Sequence, residues 1–117
     1  ADFSICRSVV EQLCARAIEK GLPRDMGLNV NIPPVEQLAG MKVCRAARGR
    51  WTAEYDSRID PIGRPYYWLT GYFDNAEPDA TDTDEYVMAQ NYASIVPVTP
   101  ERSLTEIDAR VVEWMKD

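Results

Sequence analysis

Apolar residues recur at spacings of three and four over residues 3 to 20, at Cys6, Val9, Val10, Leu13, Ala17 and Ile18. That period predicts an amphipathic helix with a single apolar stripe. Asp2 or Ser4 can cap its start, Gly21 suits the left-handed position beyond its last turn, and Pro23 forbids continuation. The period then changes to two. Leu28, Val30 and Ile32 alternate with Asn29 and Asn31 ahead of Pro33-Pro34, which predicts a short strand. A helix, a tight turn and a strand make half of an α/β crossover unit. The strand that should come before the helix is expected to lie outside this chain. The helix stripe around Val9, Leu13 and Ala17 is therefore expected to be exposed.

Residues 39 to 73 read as consecutive antiparallel strands. "MKVCRAARGRW", "TAEYDSRI" and "RPYYWLTGYF" supply them, and "DPIG" is a turn tetrapeptide with proline second and glycine fourth. A polar loop, "DNAEPDATDTDE", leads to a short helical stretch, "DEYVMAQ". "YASIVPV" follows as a strand with a proline near its end, the mark of an edge or a terminus. "SLTE" then has the capping-box pattern and opens a last helix, with Leu104, Ile107, Val111 and Trp114 as its stripe.

Composition narrows the function classes. The 117 residues carry a formal net charge of −6, which argues against a nucleic-acid polymer or an anionic membrane as partner. No apolar run approaches the ~20 residues of a membrane span. Cys6, Cys14 and Cys44 are an odd number without a C-x-x-C pair, and histidine is absent. Reduced structural thiols, and with them a cytoplasmic location, are the expectation. A Ser-His or Cys-His nucleophile is excluded within the chain.

The acidic residues Asp79, Asp82, Asp84 and Glu85 lack the glycine and the alternate spacing of a calcium loop, and read as solvated surface. Arg45, Arg48 and Arg50 offer either a phosphate contact or a solvated, salt-bridging strand face. Asn31 ends its strand. In a mostly parallel sheet that end faces the ligand crevice; otherwise the asparagine bonds the local backbone. Strand alternation points Tyr66 and Trp68 one way and Tyr67 the other. So small a chain rarely covers both faces of such a ribbon. Either a projecting hairpin meets another subunit, or the aromatics pack in the core.

Four motifs in order resemble the SurE family of nucleoside monophosphate phosphatases: "LNVNIP" from Leu28 to Pro33, "DPIGRPYYWLTG" from Asp60 to Gly71, Thr83-Asp84 shortly before Asn91-Tyr92, and "YASIVPV" from Tyr92 to Val98. Asn91 stands where that family usually has glycine, and Val96 where it usually has threonine. The resemblance implies an α/β fold, the C-terminal part of a Rossmann-like domain. Residues 1–34 would form its last helix and strand, 35–98 a projecting β-hairpin arm and the following strand, and 99–117 a C-terminal helix. It implies a homodimer or tetramer joined through Tyr66, Tyr67 and Trp68, and a nucleoside monophosphate as substrate. Mg or Mn would be bound by an Asp-Asp pair, a serine and an asparagine in motifs that this chain lacks. No residue here is then expected to be catalytic or a metal ligand, and the chain alone is expected to be inactive. Asn31, Thr83 and Asp84 would lie nearest the substrate, although Thr83 or Asp84 can also simply cap the "DEYVMAQ" helix. The alternative reading is a non-catalytic oligomerisation module that lacks the metal-binding half. An unrelated small binding domain is the third.

Overall fold

A computed structural model describes residues 3–101 and 109–116, the side chain of residue 110 excepted. Helix α1 (Ser4–Lys20) opens at Phe3 without a side-chain capping bond and ends at Gly21, whose φ of 72° and N–H bond to the Ala17 carbonyl make the stop. Ser4, one of the two expected caps, is its first residue; Asp2, the other, lies outside the described residues. Strand β1 (Gly27–Asn31) follows.

Three strands form the body sheet in the order β1-β7-β2, with β2 at Gly40–Val43 and β7 at Tyr92–Val98. β7 runs antiparallel to β1 and parallel to β2. Residues 40–43 therefore do not join the run of antiparallel strands expected over 39–73. "MKVCRAARGRW" breaks after Val43, and its first part crosses to the body. The described sheet is mixed rather than mostly parallel. Helix α2 (Asp84–Ala89) packs on β7, the most buried strand of the chain.

The core is small. Val9, Val87, Ala93, Ile95 and Val96 are its buried apolar residues. The exposed stripe expected on α1 is thus corrected at Val9, which is 3% exposed within this chain. Leu13 and Ala17 are half-buried. They border an open apolar groove with Leu22, Leu28, Met41, Val43 and Ile95.

The arm leaves the body after Cys44. β3 (Gly49–Thr52) pairs with β6 (Tyr72–Asn75), and β4 (Tyr55–Ile59) pairs with β5 (Pro65–Leu69), both antiparallel. Gly49 has no substitute at the base, because a Cβ there would lie 2.4 Å from the Phe73 ring. Between the two ladders Ala53 (φ 50°) and Gly71 (φ 113°) interrupt the pairing. The tip closes on Asp60, which accepts the N–H groups of Ile62 and Arg64 and bonds the Arg64 guanidinium. Gly63, at φ 82°, donates its N–H to the Asp60 carbonyl, as the sequence predicts for this turn. The radius of gyration is 19.8 Å, where a compact chain of this length has about 13 Å.

Helix α3 (Ala109–Trp114) lies within the expected C-terminal helix; Leu104, Ile107 and the capping pattern at 103–106 lie outside the described residues. No described helix is long and apolar enough to cross a membrane.

Candidate functional site

The β4–β5 register sorts the arm's side chains onto two faces. Tyr55, Ile59, Tyr67 and Leu69 share one, with Ser57 and Pro65; Tyr66 and Trp68 share the other with Asp56 and Arg58. No described residue covers the first face, where Tyr67 is 67% and Leu69 78% exposed. The second face is partly self-satisfied. Arg58 bonds Asp56 at 2.8 Å and lies 5.8 Å from the Trp68 ring centroid. Trp68 still shows 54% of its surface, so these aromatics are not part of the intrachain core.

The arm is rooted on a charged cluster. The Arg45 guanidinium spans both Glu77 oxygens (Nη1–Oε2 2.8 Å, Nη2–Oε1 3.0 Å) and donates from Nε to Asp82 Oδ2 at 2.8 Å. Glu77 Oε2 also accepts the Arg48 N–H. Backbone bonds run beside these: Arg45 N–H to the Asp82 carbonyl, and Asp84 N–H to the Arg45 carbonyl. The Arg45 fork holds the Glu77 carboxyl down to about 2 and lowers Asp82 as well, while the two carboxylates raise Arg45 further. Arg45 is thus spent on intrachain pairs. Arg50 faces Asp74 at 3.4 Å on the open arm surface, and Arg48 precedes β3 rather than sharing a strand face with it.

The three residues expected near the substrate lie on two elements. Asn31 ends β1, half-buried, opposite Ser94 of β7, which in turn is opposite Lys42 of β2. Ser94 is fully buried, and its Oγ has no partner among the described residues. Thr83 is fully buried at the start of α2, and its Oγ1 accepts the Tyr86 N–H at 3.3 Å. Asp84 Oδ1 accepts the N–H groups of Ala47 (2.8 Å) and Glu85 (2.9 Å). The Thr83 hydroxyl and this Asp84 oxygen are therefore engaged locally, as a cap and as a tie to the arm root.

Sequence reasoning missed the Arg45–Glu77–Asp82 cluster: it read Asp82 as solvated and did not single out Glu77. The available signal was that both ends of a projecting hairpin need fastening, with one arginine at the first end and acids at the second.

Asn91, in the place of the usual glycine, has φ 62°. Asparagine is the side chain that best tolerates this left-handed region, so the departure keeps the backbone. Val96 is 4% exposed, which suits the loss of a hydroxyl. The three thiols are free, and burial, then Asp84 and Asp82, push Cys44 up, away from the reactive thiolate. Among the described residues no three Cys, Asp or Glu side chains converge in a way that fits a metal ion.

No family model matches the chain. It is 41% identical over 99 residues to the 5'-nucleotidase SurE of Cytophaga hutchinsonii, covering 83% of this chain and 38% of that protein. With the 5'-nucleotidase SurE of Christiangramia forsetii the identity is 43% over 100 residues, covering 84% and 38%. With that of Phocaeicola vulgatus it is 35% over 117 residues, covering 100% and 43%. The crystal structure of the SurE protein from Aquifex aeolicus superimposes with a TM-score of 0.53 at 26% identity, over 92% of this chain and 42% of that one. The chain spans about two-fifths of the length of these relatives. Motifs, identities and fold agree, and the chain belongs to the SurE family.

Proposed function

We propose that this chain is the C-terminal portion of a divalent-metal-dependent phosphatase that hydrolyses nucleoside 5'/3'-monophosphates. Its own share is to complete the fold and to hold subunits together. The observation that carries the catalytic part is the 41% identity with a 5'-nucleotidase over 99 residues. The described residues do not fit the metal, so no catalytic step is assigned to them, and the Mg or Mn ion is proposed to be held by the family motifs that this sequence lacks.

The assembly part rests on the arm. A two-stranded ribbon is at best marginally stable by itself, yet this one shows large side chains on both faces. Tyr and Trp in such a patch suit a subunit contact, and Tyr66, Tyr67 and Trp68 are its proposed anchors in a homodimer or tetramer. Asn31 is proposed to border the nucleotide on the strength of the family motif alone, since β1 runs antiparallel to β7 and the carboxyl-end rule of parallel sheets does not support it. Thr83 and Asp84 are proposed to border the same crevice by position, through the start of α2.

The test is hydrolysis of nucleoside monophosphates by a protein of the relatives' full length that contains this sequence. Turnover should need Mn or Mg and vanish with a chelator. Metal-loaded protein without turnover would instead favour the oligomerisation module.

A further inference from the structure

The arm has only two chain crossings to the body. One is the outgoing segment 44–48 and the other the returning segment 75–83, and among the described residues both ion pairs between them converge on one guanidinium. We propose that Arg45 is a clamp that fixes the direction in which the arm leaves the body.

Four features of the geometry support this. The fork engages both Glu77 oxygens and Asp82 with separate nitrogens, so it restrains rotation as well as separation. Glu77 is itself held from two further sides, its N–H bonding Asn75 Oδ1 and its Oε2 accepting the Arg48 N–H. The ladder of β3 and β6 continues straight into this root, where the Ala76 N–H bonds the Arg48 carbonyl. On the body side, Arg45 and Thr83 form a parallel bridge, which ties the clamp to the start of α2.

An isolated exposed ion pair contributes little stability. Here the fork's consequence is geometric. The strands reach about 30 Å beyond the root at ~3.3 Å per residue, so a swing of roughly 10° at the base moves the tip by about 5 Å. Ala53 and Gly71 lie beyond the clamp, so bending there moves only the outer ribbon. The inference concerns a single chain and stands apart from the reading of the arm as a subunit contact.

Electron–electron distance measurements test it. Nitroxides are placed on unnatural side chains at Glu36 in the body and Tyr72 in the inner arm, which leaves the cysteines native. Labelled chain is diluted in excess unlabelled chain so that only intrachain distances are read. The parent should give one narrow distribution. Arg45→Met and Glu77→Gln should each broaden it at least about twofold, since the charge-assisted fork is lost and backbone bonds alone remain. Arg50→Met, which removes an arm-surface pair only, should leave the width unchanged. Unchanged widths in both clamp variants, with the parent circular dichroism, would overturn the proposal. Should Arg45→Met unfold, Glu77→Gln decides. Unfolding of both would show that the cluster holds the fold rather than the arm's direction, which also overturns it.

Discussion

Truncating Trp68 is the sharpest perturbation of the arm. In the single chain 54% of its surface is open. A buried aromatic removes up to ~250 Å² from water, so roughly 130 Å² remains to be covered by a neighbour. At ~25 cal/mol per Å² that is about 3 kcal/mol per subunit. A symmetric dimer loses it twice, about 6 kcal/mol, so Trp68→Ala should raise the dissociation constant of the assembly by about four orders of magnitude. Tyr67→Ala reports on the opposite face, where Tyr55, Ile59 and Leu69 are equally uncovered. Sedimentation velocity over a micromolar concentration series reads the change, with far-ultraviolet circular dichroism to show that the fold persists. The proline-glycine turn and the Asp60 cage lie beyond both residues, so the hairpin should still close. An unchanged mass in both variants, with a folded spectrum, would refute the assignment of these aromatics to subunit contact.

Thr83→Ala removes the α2 cap and should cost about 1 kcal/mol in thermal unfolding, with Thr83→Ser recovering part of it. Ser94→Ala removes a buried hydroxyl that has no partner among the described residues, so it should be neutral or stabilising in this chain; a loss above ~1 kcal/mol would reveal a partner. Asn91→Gly should be nearly neutral while Asn91→Ala costs about 1 kcal/mol, because φ is positive there. The Glu77 carboxyl is lowered in the folded chain, so its contribution is complete above its ordinary value near 4.5 and is lost as pH falls toward about 2. Over that window the melting temperature of Glu77→Gln should fall less steeply than the parent's.

Local period made α1, β1, β7 and the arm's outer hairpin legible, since each is a short stretch whose side chains alternate in one way. "DPIG" even predicts the Asp60 turn. What stayed hidden has long sequence separation. Nothing local marks the end of β2 at Val43, and its parallel partner β7 begins near residue 92. The Arg45 fork reaches residues 32 and 37 positions away. Its acids look like any solvated loop until the chain returns from the arm. Thr83 illustrates the limit for sites, because a cap and a site residue are the same letter, and only the Tyr86 N–H on its hydroxyl shows the first role.

Division of labour within a SurE-type phosphatase is the central claim, and hydrolysis by the 117-residue chain alone tests it most directly. Pure chain is incubated with nucleoside 5'- and 3'-monophosphates and Mn or Mg, and released phosphate is measured beside a protein of the relatives' full length. The account predicts metal-dependent turnover by the longer protein and none above background by this chain. Chelator-sensitive turnover by the short chain would contradict it, because its described residues contain no cluster to hold the metal.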